Sequence, residues 1–286
     1  MEFAAFSFAF VYGILTVTVV SAQRGQHSCV RGRDLPNCIL KNPLGIAQMV
    51  VRLESSLVKC GLSLTVSSDM FEFVTAKREA RGIDPAPMHD PAVCDFSQER
   101  AFWMCLRNSQ GVIVGLQAYR CDNIDVSLAE WSTNYMIGVY MRRNELMVPS
   151  HTRPPKGSIS ERLRGRLVYH GEVWMDKSLK NKDAVADFSM LGAMLALLKW
   201  NYDAIWALTS QSIATRGYPG RMGYPYIERG FLRWLWHSEG VEPVEYLTVA
   251  ERHHMEQLVD EPVTNQASPF GTKLNHSERL EHQAVV

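Results

Sequence analysis

Two β-rich runs separated by one helix-patterned run constrain most what this chain can fold into. Arg166–Trp174 (RLVYHGEVW) is dense in β-branched and aromatic residues and reads as a strand. A charged loop, Met175–Asp187, follows. Phe188, Leu191, Leu195 and Leu198 then recur at spacings of three and four, with Met194 on the same face, which is a helix period. Tyr202–Thr209 (YDAIWALT) reads as a second strand and Ser212–Arg221 as a short helical stretch closing on Gly223-Tyr224. Phe231–His237 returns to strand composition. Two strands joined through a helix form a parallel pair with a right-handed crossover. The loop entering such a helix is where an anionic group would sit.

Upstream, Gly61–Val66 reads as a short strand. Ser67-Ser68-Asp69 supplies N-cap oxygens for a helix that starts its apolar face at Phe71 and Val74 and stops at Gly82. Asp84–Asp90 is a proline-rich loop. Ala101–Leu106 and Gly111–Tyr119 flank the polar turn Arg107–Gln110, the pattern of an antiparallel hairpin. Leu128–Met141 is expected to be helical, with Trp131, Tyr135 and Val139 on one side, and Ser150–Ser160 to be a loop. Val244–Thr248 reads as a strand and Val249–Val259 as a helix. An early hairpin and a late crossover together predict an α/β fold with a mixed central sheet and helices on both faces.

The domain is expected over residues 61–260, with an extension at 24–60 and a polar, disordered tail at 261–286. Residues 1–23 are a separate, apolar segment, and Met1–Gln48 is expected to pack poorly against the domain. Phe3–Gln23 is uncharged and admits three readings. Val20-Ser21-Ala22 would serve as a signal cleavage site, although no charged residue but Glu2 precedes the apolar run. The length suits a membrane anchor. The segment is otherwise an extension, with Met49 or Met70 as the working start. The protein is accordingly expected in the cytoplasm, or anchored or exported if residues 1–22 are a targeting segment. Membrane contact is expected only through residues 3–23.

Lysine plus arginine equals aspartate plus glutamate at 30 each, so the chain has no net charge and nucleic acid is not expected as a partner. The apolar fraction, 46%, suffices for a substantial core. The six cysteines (29, 38, 60, 94, 105 and 121) contain no C-x-x-C pair and no zinc spacing, and read as buried, unpaired thiols. His253-His254 has no third ligand at zinc-site spacing, and adjacent helical residues point apart, so no metal is expected.

The element order and the motif region Leu167–Tyr224 resemble the Gcn5-related N-acetyltransferase (GNAT) superfamily. The hairpin, the long strand RLVYHGEVW, the small-residue helix Phe188–Trp200, the strand YDAIWALT and the closing Arg221-Met222-Gly223-Tyr224 carry the resemblance. It implies transfer of an acetyl or other acyl group from acyl-CoA to the amine of a small molecule or peptide. The alternative is a catalytically inactive binding module on the same fold. Acetyl-CoA would be the co-substrate, with its pyrophosphate held by Asn181, Asp183, Ala184, Val185 and Ala186. That stretch is a degenerate version of the family loop, because alanine stands at Ala184 where the family has glycine. Glu172 takes the place of the family's general base, and Tyr218 is the candidate for protonating the leaving thiolate. His170 shares a strand face with Glu172. Tyr224, like Tyr218, lies near the family's thiolate-protonating position, and Trp131, Tyr135 and Trp103 are candidates for lining an acceptor pocket, with packing as the plainer role of each.

Overall fold

The computed structural model describes residues 4–11, 14–21, 40–97, 99–142, 148–151, 154–179, 181–236 and 242–260. The chain divides into two units, Met1–Leu40 and Lys41–Val286. In the first, β1 (Ala4–Val11) and β2 (Ile14–Ser21) form an antiparallel hairpin registered from Ala4↔Ser21 to Val11↔Ile14. No helix among the described residues is long and apolar enough to cross a membrane.

In the second unit α1 (Pro43–Lys59) leads to β3 (Ser63–Ser67), α2 (Met70–Arg81) and a 3₁₀ turn at Pro87–His89. The hairpin β4 (Ala101–Arg107) and β5 (Ile113–Ile124) follows. α3 (Leu128–Trp131) and α4 (Ile137–Met141) are joined through a π-turn at Ser132–Met136, and β6 (Val148–His151) comes next. Then come β7 (Gly165–Met175), α5 (Lys182–Trp200), β8 (Ala204–Thr209), α6 (Gln211–Thr215) and α7 (Tyr218–Arg221). β9 (Tyr226–Trp236), β10 (Val244–Glu251) and α8 (Arg252–Asp260) complete the order.

The strands form one sheet in the order β3-β4-β5-β7-β8-β10-β9-β6. β7 and β8 pair in parallel and every other neighbouring pair is antiparallel. The one parallel pair is the one that needs a crossover, and α5 supplies it. Odd-numbered residues of β4 (Ala101, Trp103, Cys105) pack with Met70, Phe73 and Ala76 of α2. Even-numbered Phe102 lies against Trp200 of α5, so the two helices cover opposite faces. The fold is therefore a mixed α/β sheet with helices on both faces, as the sequence predicts.

α5 has no apolar stripe because it has no solvent side over most of its length. Phe188 through Met194 are all buried, between the sheet and α1. Ser56 of α1 donates to Asp187 of α5 at 2.6 Å. α1 itself falls within the segment read from sequence as an extension. Ile46, Met49, Val50, Leu53 and Leu57 form its buried face, Asn42 caps it by accepting the Gly45 N–H at 2.8 Å, and it belongs to the same compact unit as the sheet. The sheet unit thus begins upstream of Gly61. β10 also runs further than the pattern suggests: Val249 and Ala250 pair with Trp206 and Ile205, and the helix begins only at Arg252. The ladder to β8 outweighs the weak helical period of that stretch. Part of the loop expected at Ser150–Ser160 is strand β6, which pairs with β9. Cys94 and Cys105 are buried free thiols, Cys121 is half-buried and Cys60 is exposed. Cys29, Cys38 and the tail 261–286 lie outside the described residues.

Candidate functional site

β7 and β8 stay together for only three residues, Leu167↔Ala204, Val168↔Ile205 and Tyr169↔Trp206. β7 then continues to Met175 along β5, while β8 continues to Thr209 along β10. The two strands part past Tyr169 and Trp206, where each keeps only its other neighbour in the sheet. A bulge marks the same place. Leu116 pairs with Trp174 and Ala118 with Gly171, so Gln117 faces both Glu172 and Val173. Glu172 holds a left-handed backbone, φ 61°, which a residue with a long side chain adopts only when its surroundings impose it.

Its carboxylate shows what imposes it. Oε1 accepts the Ala86 N–H at 2.6 Å, and Oε2 is paired with the Lys77 ammonium of α2. The side chains are 4% and 11% exposed, so this is a buried ion pair. Glu172 thus ties the bulge to α2 and to the segment before Pro87–His89.

On the α5 side, His170 is buried and stacked on Tyr119, ring centroids 4.3 Å apart. Nδ1 lies 2.7 Å from the Tyr224 hydroxyl and Nε2 lies 3.1 Å from Gln117 Oε1. Gln117 Nε2 donates to the Phe188 carbonyl at 2.8 Å, which orients its amide oxygen toward His170. These partners assign the proton to Nε2, with Nδ1 accepting from Tyr224. Burial pushes the His170 pKa down to about 3, so the ring is neutral. His170 and Tyr224 are parts of one closed network under α5.

The opposite face holds polar groups without such closure. His89 is fully buried and stacks on Tyr169 at 5.1 Å, and neither ring nitrogen has a hydrogen-bond partner among the described residues. Burial, then the positive charges of Arg120 and Lys77, hold its pKa well below 6.5. Gly171 makes room for it, since a Cβ there would run into the His89 ring. Arg120 anchors this turn by donating to the Met88 carbonyl at 3.0 Å while its other nitrogens grip Asp122 at 2.8 Å. On β10, Glu245 is half-buried as a residue, but its Oε2 is shut off from solvent and makes no hydrogen bond of ordinary geometry among the described residues. Burial raises its carboxyl to about 7, and the nearby Trp234 indole pulls the other way. Burial raises the phenols of Tyr140 and Tyr169, and Glu245 lies close enough for its charge to add to both. Trp131 lies tilted against Tyr135 at 5.0 Å and meets Trp206 edge-on at 6.2 Å, walling the same face.

Trp103 lies elsewhere: its indole donates to the Asp69 carbonyl at 2.8 Å, against α2. Tyr218 opens α7, half-buried, with the Arg221 guanidinium 6.0 Å from its ring centre. Asn181, Asp183, Ala184, Val185 and Ala186 form the cap and first turn of α5. Asn181 Oδ1 accepts the Asp183 N–H at 3.0 Å. A helix starting at Lys182 engages the N–H groups of Val185 and Ala186 internally, leaving those of Lys182 and Ala184 without an intrahelical carbonyl. The side chains of Ala184 and Ala186 are buried, and Asp183 puts a carboxylate in the first turn. An anion at this end would meet backbone donors and no glycine.

His89, Lys77 and Glu245 were not singled out in the sequence. Glu245 carries a usable signal, being in phase with the buried Leu247 and Val249 at a period of two. His89 carries none, sitting in a proline-flanked turn.

No family model and no curated protein matches the chain. Among solved structures it is similar to the aminoglycoside acetyltransferase AAC(6')-Ib in complex with parmomycin and acetyl-CoA. That similarity has 12% identity over 71% of this chain and 99% of that one, with a TM-score of 0.40. It is similar to FeeM, an N-acyl amino acid synthase from uncultured soil microbes (15%, 68%, 92%, TM-score 0.38). Arabidopsis thaliana NAA60 in complex with acetyl-CoA gives 13%, 67%, 99% and a TM-score of 0.38. Scores this low carry no weight for function, and the fold rests on the sheet order and the separating strands themselves.

Proposed function

We propose that the protein moves an acyl group, acetyl most simply, from acyl-CoA to an amine. The observation that carries this reading is the separation of β7 and β8 at the Glu172 bulge. Two strands that part within a sheet leave inward edges that an extended, amide-bearing arm can fill as a strand would. The pantetheine arm of acyl-CoA has that form. Its pyrophosphate would meet the start of α5, through the N–H groups of Lys182 and Ala184 and the helix dipole.

In this reading the amine approaches from the His89 face. Its nitrogen bonds to the thioester carbon, the carbon–sulfur bond breaks, the amine loses a proton and the thiolate gains one. The resemblance assigns the amine proton to Glu172, but that carboxylate is engaged by Lys77 and the Ala86 N–H. Glu245 suits the role better, with a shielded oxygen and a pKa of about 7, near the working pH of a general base. Glu172 then shapes the bulge, and Tyr218 remains the candidate donor to the thiolate. The alanine at Ala184 and the carboxylate at Asp183 favour a second reading, a binding module with this fold and no turnover.

Release of free CoA thiol, measured with acetyl-CoA and a panel of primary amines, separates the two. Turnover is expected with at least one amine, and Glu245→Gln is expected to lower it about 10²–10⁴-fold. Absence of thiol release from a protein that binds acetyl-CoA favours the module. Unchanged turnover in Glu245→Gln removes that residue from the mechanism.

A further inference from the structure

We propose that Glu251, His253 and His254 form a divalent-metal site of the zinc-binding type where β10 runs into α8. Spacing along the sequence gives only a histidine pair. The third donor comes from the strand, because β10 ends at Glu251 and the chain turns directly into α8 at Arg252. The corner gathers one carboxylate oxygen and two imidazole nitrogens within 4.8 Å of one another.

The two rings lie with centroids 3.8 Å apart, so both imidazoles stand on the same side of the corner. His254 Nδ1 is shut off from water and makes no hydrogen bond of ordinary geometry among the described residues. Tyr226 stands edge-on to the His254 ring at 5.5 Å and restrains its plane. Glu251 also meets Arg162 at 3.5 Å, but that guanidinium is 61% exposed, so the pair is weak and one carboxylate oxygen is all the metal requires. Two imidazoles and a carboxylate are a donor set that zinc accepts, with a fourth position for water.

The place in the fold indicates the role. Glu251 pairs with Ala204, at the start of β8, whereas β7 and β8 part only past Trp206, from roughly 7 to 17 Å further along the strand. The metal would therefore clip α8, which buries Met255, to the sheet rather than take part where the two strands separate.

The test is calorimetric titration of chelator-stripped, full-length protein with zinc sulfate, paired with thermal unfolding. Saturable one-to-one binding and a raised Tm are expected, and magnesium is expected to give neither. His253 is exposed, so His253→Gln should fold normally while losing at least about tenfold in zinc affinity together with the Tm gain. Glu251→Gln is expected to weaken binding in the same direction. Failure of the parent protein to bind zinc overturns the proposal, as does an isotherm that is identical in His253→Gln and the parent.

Discussion

Replacing Lys77 with methionine is expected to destabilise the protein by about 3–5 kcal/mol. Lys77 and Glu172 are buried together, and methionine fills the space of the lysine stem without supplying a charge. Glu172 would be left with the Ala86 N–H as a donor and an uncompensated charge in a low-dielectric site. The loss should be largely recovered by adding Glu172→Gln, because no buried charge then remains and an amide can still accept from Ala86. Chemical denaturation of the two single variants and the double variant measures this. A Lys77→Met protein within about 0.5 kcal/mol of the parent would mean that the pair does not hold the bulge.

The second large effect concerns pH. The His170 pKa is about 3 in the folded protein against 6.5 for the free side chain. Between those values the unfolded chain binds a proton that the folded chain refuses, so stability rises with pH by about 1.4 kcal/mol per unit. The contribution is complete above 6.5 and is lost as pH falls to about 3. His89 acts in the same direction, its pKa lowered by burial first and then by Arg120 and Lys77. Glu245 opposes both. Its folded pKa is raised from 4.5 to about 7, so across that window the folded protein keeps a proton that the unfolded chain has released, and stability falls with rising pH. Glu245→Gln removes the opposing slope. The variant should therefore gain stability between pH 5 and 6.5 more steeply than the parent, by up to about 1.4 kcal/mol per unit, and should exceed the parent above pH 7. Urea denaturation across this range gives the answer, and parallel curves for the two proteins would show that Glu245 is solvated. A carboxylate that destabilises the fold at neutral pH is a mark of a site group rather than a structural one.

Much of this fold could be read from local pattern. The β4–β5 hairpin and the β7–α5–β8 crossover are long, strongly patterned and bounded by loops, and the structure contains both. α1 escaped because it follows polar sequence and carries Gly45 in its first turn, although Ile46, Val50, Leu53 and Leu57 do keep a helix period. The end of β10 escaped because pairing with β8 decides it, and pairing is a tertiary fact. The same holds for the site. That β7 and β8 adjoin follows from the crossover. That they part after Tyr169, that Lys77 reaches Glu172 across 95 residues of chain, and that His89 lies on Tyr169 depend on contacts no spacing encodes. The corner at Glu251, His253 and His254 is a smaller case of the same kind: the two histidines are visible as a pair, and Glu251 is brought beside them by the turn between strand and helix.

The most direct test of the account is titration of the full-length protein with acetyl-CoA, followed by calorimetry and by thermal unfolding. The separated strands and the start of α5 belong to the folded state only, so ligand at about one hundred times its Kd should stabilise the protein by about 2.7 kcal/mol. For a folded unit of this size that is a rise in Tm of roughly 5–10 °C. The account predicts saturable one-to-one binding with that shift. Absence of both heat and Tm shift at millimolar acetyl-CoA would contradict it, and the opening between β7 and β8 would then have to serve some other ligand.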